Sequence, residues 1–236
     1  MSNESATYLA VPAVMRTVIL PVLLLATMTT CAAPPPTTTP IPSVPATLQP
    51  TPHTATSTPL PIEGGLTPCA LPTVVAPTPP AEIPGYTQLD STTGLHMTGR
   101  VQKIDLQCYR LEVTGKVDHP LSLTYDDLRC MPRIETRSTL VCPGFFEDVA
   151  TWSGASLEYV LELAGVQAGA TGIQLISADG YSTSVPVETA HSGDSFLAYE
   201  WEGQPLPILH GFPVRAVFPN LDGNKWVKWL VKIEVY

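Results

Sequence analysis

Cys142 stands at the end of a run of β-forming residues, Ile134–Cys142 (IETRSTLVC), and leads straight into the turn dipeptide Pro143-Gly144. A side chain at a strand end is held by a rigid element while the loop beyond it leaves room for a ligand. Ionised, a thiol in that place is a soft ligand for a transition metal, although an isolated cysteine is more often a small buried apolar group. A second segment, His210-Gly211-Phe212-Pro213-Val214-Arg215, sets an arginine in an otherwise apolar strand, five residues after a histidine beside a glycine. A third, Asp222-Gly223-Asn224-Lys225-Trp226-Val227-Lys228-Trp229, is a glycine turn followed by two lysines. From His210 onward the chain carries Arg215, Lys225, Lys228 and Lys232 against Asp222 and Glu234, a local charge of +2. Convergent cations at a backbone turn suit an anionic group such as a phosphate; lysines guarding a solvated strand edge would give the same pattern.

That basic end is unusual for its surroundings. The 236 residues carry a net charge of −9, and from Tyr86 onward 11 Lys and Arg face 18 Asp and Glu, a net of −7. A nucleic-acid partner is therefore not expected, because phosphate neutralisation needs a broad basic face. No G-x-S-x-G elbow is present, so nucleophilic serine catalysis has no support either. Sixteen of the 26 prolines fall between Ala32 and Gly85, among eleven threonines and only two charges, Glu63 and Glu82. Such a stretch has too little apolar mass to offset its ordering entropy, so residues 32–85 are expected to be a disordered linker. What remains, residues 86–236, is long enough for one hydrophobic core.

The elements that must position the chemistry can be placed by pattern. Leu111–Val117 and Ile134–Cys142 read as strands. Thr124 caps a short helix with Asp127 three residues on, and Ser156 caps a longer one whose Leu157, Val160, Leu161 and Ala164 share a face up to Gly165. Gly172–Ser177 is a strand turning at Asp179-Gly180 into Tyr181–Val185, and Phe196–Trp201 and Phe212–Phe218 are further strands. At the end Val227, Trp229, Val231, Ile233 and Val235 share one face, with Lys228, Lys232 and Glu234 opposite, which predicts a half-buried terminal strand. Many strands with a few short helices make the class α+β, mostly β.

Seven segments in order carry a resemblance. They are Thr139-Leu140-Val141-Cys142-Pro143-Gly144, Trp152-Ser153-Gly154-Ala155-Ser156-Leu157, Ser177-Ala178-Asp179-Gly180-Tyr181-Ser182-Thr183, Leu197-Ala198-Tyr199-Glu200, Gly203-Gln204-Pro205-Leu206-Pro207, the segment from His210 to Arg215, and Val227-Lys228-Trp229-Leu230. The series resembles the molybdopterin-binding domain of the sulfite oxidase family, which includes bacterial methionine sulfoxide reductase catalytic subunits, over about Leu111 to Tyr236. The resemblance implies the sulfite-oxidase-type fold and a molybdenum–molybdopterin cofactor. It makes Cys142 the metal-bound catalytic thiolate, His210 and Arg215 cofactor contacts, and Lys225 and Lys228 the residues that meet the pterin phosphate. The implied activity is two-electron oxygen-atom transfer on a small substrate, the cofactor carrying the chemistry. No haem-binding segment precedes the match, which implies a separate haem- or quinone-linked electron-transfer partner. Where sulfite oxidases place arginines after the metal cysteine, this chain has Phe145-Phe146-Glu147-Asp148, an aromatic and acidic rim that would repel sulfite. The family's upstream cofactor contacts have no counterpart in the sequence from Tyr86 to Gln107.

Residues 1–31 read as an export segment, with Met15 the expected true start: Arg16, the apolar run Val18–Met28, then small residues and Cys31. The order resembles a bacterial lipoprotein signal, although Met28-Thr29-Thr30-Cys31 departs from its usual Leu-Ala-Gly-Cys form. An exported protein lipid-anchored through Cys31 to the outer face of a bacterial cell membrane is expected, the linker reaching up to roughly 150 Å. Of the other cysteines, Cys69, Cys108 and Cys130 are expected to give one disulfide, with the pairing open. Molybdenum proteins are generally exported folded through a twin-arginine signal, and only Arg16 is present here. That leaves a second reading: a non-catalytic cofactor- or ligand-binding surface lipoprotein that reuses the fold.

Overall fold

The computed structural model describes Cys69 and residues 71–236; the export segment and most of the expected linker lie outside the described residues. In chain order the strands are β1 (Leu89–Asp90), β2 (Leu95–His96), β3 (Leu111–Gly115), β4 (Leu121–Leu123), β5 (Arg133–Cys142) and β6 (Phe146–Ser156), then β7 (Gly172–Ser177), β8 (Ser182–Pro186), β9 (Phe196–Trp201), β10 (Gln204–Pro205), β11 (Arg215–Val217) and β12 (Leu230–Val235). The helices are α1 (Tyr125–Arg129), α2 (Leu157–Ala164) and α3 (Val187–Ala190), with 3-10 turns at Ile208–His210 and Gly223–Lys225.

Two five-stranded sheets carry the domain. One has the order β10-β9-β6-β5, with β11 also paired to β9; the other runs β4-β3-β12-β7-β8. Pairing is antiparallel apart from β12 on β3. The main apolar cluster draws on both sheets, with Leu111, Trp152, Leu175, Phe196 and Ile233 sealed from solvent, and a smaller one gathers Met97, Ile208, Leu209 and Trp229. The α2 face adds Leu157, Val160, Leu161 and Ala164, each worth up to about 1.5–3 kcal/mol for the larger side chains. Ser156 Oγ caps this helix at Tyr159 N–H, and Gly165 ends it at φ 67°. Thr124 and Asp127 close a capping box on α1, so both helix starts read from the sequence hold.

The expected linker ended at Gly85, yet its described part is fastened to the domain. Cys69 is disulfide-bonded to Cys130 with Cα atoms 5.8 Å apart, Arg129 donates to the Pro72 carbonyl at 3.0 Å, and Val74 packs on the core. Two other expectations need correction. The strand expected over Phe212–Phe218 shortens to β11, because the chain first makes a 3-10 turn that ends on Gly211 at φ 114°. The terminal strand begins at Leu230 rather than Val227, because Trp229 takes φ 48° and breaks the alternation. Its indole is anchored by Nε1 donating to the Ile208 carbonyl at 2.9 Å. The break turns Lys228 inward, where the regular strand would have set it toward solvent.

Candidate functional site

A cleft of about 440 Å³ is lined by residues of both sheets. From the first sheet come Leu140 and Cys142 of β5 and Phe146, Asp148 and Trp152 of β6; the second sheet adds Ser177, Asp179 and Tyr181 around the β7–β8 turn. In each strand the lining residues alternate, which is what a pleated strand with one face on a cavity requires. The segment of residues 208–229 closes the floor with His210, Arg215, Trp226, Lys228 and Trp229. Cys142, His210, Arg215 and Lys228 thus all line this one cleft.

Lys225 does not. It is absent from the cleft lining, and its Nζ donates to Thr183 Oγ1 and the Ser184 carbonyl, both at 2.9 Å. The 3-10 turn at Gly223–Lys225 lies between β5 and β8, and the Lys225 side chain ties it to β8. Lys228→Ala is therefore expected to speed pterin loss about tenfold, and Lys225→Ala less than about twofold. Equal effects in a dissociation assay would return Lys225 to the site.

Two cations are buried in the floor. The Arg215 guanidinium sits 4.6 Å from the Trp152 ring and 5.7 Å from Trp226, donating to the carbonyls of His210 at 3.2 Å and Trp226 at 3.5 Å. Burial pushes its pKa down to about 9, opposed by Asp148, so it stays charged at neutral pH. Lys228 Nζ donates to the carbonyls of Thr98 and Leu209 and lies 4.8 Å over the Trp229 ring. Burial and then Arg215 push its pKa well down, against the pull of Asp179 and Asp148. Among the described residues neither cation has an ion-pair partner. Gly211 allows this crowding, since a Cβ there would meet Arg215 Cβ at 3.1 Å and Lys228 Cα at 3.2 Å.

His210 is 2% exposed, with Nε2 3.0 Å from Asp90 Oδ2 and 2.9 Å from Thr93 Oγ1. Burial, then the charge of Lys228, pushes its pKa down to about 3 against the Asp90 bond. The unfolded chain takes up this proton near pH 6.5 and the folded one only near 3, so stability is lost as pH falls across that window. Burial would raise the pKa of Asp90, but the hydrogen bonds from Thr92, His210 and Thr93 hold it below its ordinary 3.8. His210→Gln should therefore flatten the loss of stability between pH 6 and 4, by at most about 1.4 kcal/mol per pH unit. An unchanged slope in denaturant titrations would contradict a buried neutral His210.

At the other end Cys142 is half-buried and free of disulfide. Burial, then Asp148 and Asp222, push its thiol pKa up, so the surroundings are electronegative. Of the expected acidic rim, Asp148 is the residue that reaches the cleft; Glu147 faces solvent with Phe145. Asp148 is not free, because its Oδ1 meets His96 Nδ1 at 2.6 Å while Oδ2 accepts the His96 backbone N–H at 2.8 Å. The His96 ring stacks on Phe146 at 4.4 Å. Arg100 brings an exposed cation to the mouth.

The segment ahead of Gln107, in which the sequence showed no site residue, thus supplies Tyr86, Leu95, His96, Thr98, Gly99 and Arg100. A signal was present in Gly99, which takes φ 74° and has no room for a Cβ against Trp229 and Asp179. An anionic, acceptor-rich ligand fits these walls. Arg215 Nε and Trp152 Nε1 are buried donors with no acceptor among the described residues, beside two cations without counter-ions. Leaving such groups unmet costs about 1–3 kcal/mol each. No three His, Cys, Asp or Glu side chains among the described residues converge to hold a metal.

The family model described as the oxidoreductase molybdopterin binding domain matches residues 98–236. The chain is 36% identical to the oxidoreductase YuiH of Bacillus subtilis, over 55% of this chain and 66% of that protein. It is 35% identical to the mitochondrial sulfite oxidase of Homo sapiens, over 57% of this chain and 30% of that one. Among solved structures it resembles the sulfane dehydrogenase SoxCD of Paracoccus pantotrophus, with a TM-score of 0.55 and 29% identity over 58% of this chain and 40% of that chain. The chain therefore spans under two thirds of the length of these relatives.

Proposed function

This chain belongs to the oxidoreductase molybdopterin-binding domain family, and we propose on that premise that it is a molybdenum-dependent oxygen-atom transferase for a small neutral or cationic substrate. The fold is the sulfite-oxidase type and the family's cofactor is molybdenum–molybdopterin. The observation that carries the proposal is the convergence of a free Cys142 with the unpaired cations Arg215 and Lys228 in one cleft.

Cys142 would give up its proton and hold molybdenum through Sγ. Arg215 and Lys228 would hold the anionic and acceptor groups of the pterin, with Trp152 Nε1 donating beside them. His210 would orient the ring system from the floor. When bound, the cofactor supplies two-electron oxygen-atom exchange with the substrate. Phe146, stacked on His96, walls the space beside Cys142 and limits water there. Asp148 and Asp222 make that space electronegative, which disfavours an anion such as sulfite.

Electrons would pass singly to or from a separate haem- or quinone-linked protein at the same membrane. Export with a lipid anchor at Cys31 is part of the proposal, and the disulfide Cys69–Cys130 supports an oxidising compartment. The test is rapid mixing of the holoprotein, reduced or oxidised, with neutral sulfur and nitrogen oxides and their reduced forms, beside sulfite. Metal oxidation or reduction by a neutral or cationic compound, faster than by sulfite, is expected. Turnover with sulfite alone would overturn the substrate class.

A further inference from the structure

Asp90 is a carboxylate with 2% of its surface exposed, on β1 and ahead of the family match. Burying such a group is costly unless donors converge on it. Here the Thr92 N–H donates to Oδ1 at 3.0 Å and the Thr92 hydroxyl at 2.6 Å, while the Thr93 hydroxyl donates to Oδ2 at 2.9 Å. Burial alone would raise its pKa; these bonds and that of His210 hold it below 3.8, so the carboxylate is ionised and only accepts. His210 Nε2, 3.0 Å from Oδ2, therefore carries the ring proton. The ring is neutral, so Nδ1 is left as a bare lone pair, and it has no hydrogen-bond partner among the described residues. His210 lines the cleft; Asp90 does not.

The geometry points to Asp90 as a positioning residue that fixes His210 as the Nε2–H tautomer and presents Nδ1 to the cleft as an acceptor. The floor thus has two halves of opposite character. Arg215 and Lys228 offer donors to anionic or carbonyl groups, whereas His210 demands an N–H from the ligand. This rests on the cofactor reading above, and it fixes which edge of the pterin can face His210. Chemically the arrangement parallels a ligating histidine oriented by a carboxylate behind it, where loss of the carboxylate costs about 10–100-fold in affinity or activity.

The test uses the full chain with ¹⁵N-labelled histidine, with and without cofactor, His210 being assigned from His210→Gln. His210 is expected as the Nε2–H tautomer in both forms. Asp90→Asn, whose amide can donate to Nε2, should move the proton to Nδ1 and speed pterin loss about tenfold. Thr92→Val, which leaves the carboxylate in place, should change pterin loss less than about twofold. Wild-type His210 protonated on Nδ1 overturns the assignment, and so does a folded Asp90→Asn protein with unchanged pterin retention. His210→Asn, whose amide oxygen reaches the Nδ1 position, should recover part of the retention lost in His210→Ala; no recovery also overturns it. A wild-type protein that never holds pterin would sink the function proposed above, and the tautomer would then decide the role of Asp90 on its own.

Discussion

Arg215→Met is expected to lose pterin more than about a hundredfold faster than the wild type while making the cofactor-free domain more stable. The two effects share one cause. The guanidinium is sealed between Trp152 and Trp226 with Nε unmet and no carboxylate in ion-pair contact among the described residues. Without a ligand it is an uncompensated buried charge, so an apolar side chain of similar length is expected to relieve its desolvation cost and stabilise the domain. With an anionic ligand it is the strongest donor in the cleft. Thermal melts of the apo forms and pterin release from the holo forms should therefore move in opposite directions. A destabilised apo variant, or one that keeps pterin like the wild type, would mean that Arg215 is a structural cation.

Cys142→Ser should lose molybdenum, to under about a tenth of the wild-type content, while keeping pterin and fold. The side chain is half-buried at the end of β5, where the ladder to β6 closes at Cys142 and Phe146, so a hydroxyl costs the packing little. A neutral hydroxyl is a poor soft-metal ligand next to a thiolate. The proposed pterin contacts, Arg215 and Lys228, lie on the cleft floor and do not depend on Sγ. Molybdenum content unchanged in Cys142→Ser would remove Cys142 from the metal site. Loss of both metal and pterin would show that the floor alone does not hold the organic part.

The sequence was most legible where local physics decides. Both helix starts and most strands of the two sheets follow from caps, periodicity and turn residues. Cys142 and Arg215 could be singled out because each breaks its surroundings, as a thiol before a turn and a charge in an apolar run, and both line the cleft with His210. Lys225 and Lys228 were indistinguishable in sequence, since a single positive φ at Trp229 decides that Lys228 turns inward. β6 was hidden for a related reason. Its inward alternation of Phe146, Asp148, Ala150 and Trp152 includes a carboxylate, which is apolar-compatible only because His96 meets it. Asp90 and His96 gave no signal, because their roles depend on partners 120 and 52 residues away.

The most direct test of the central claim is the molybdenum, pterin and chain stoichiometry of the protein isolated from the membranes of its own host. The account predicts about one molybdenum and one pterin per chain. Protein free of both metal and pterin, from a host with a working cofactor pathway, would contradict it and leave the fold as a binding module.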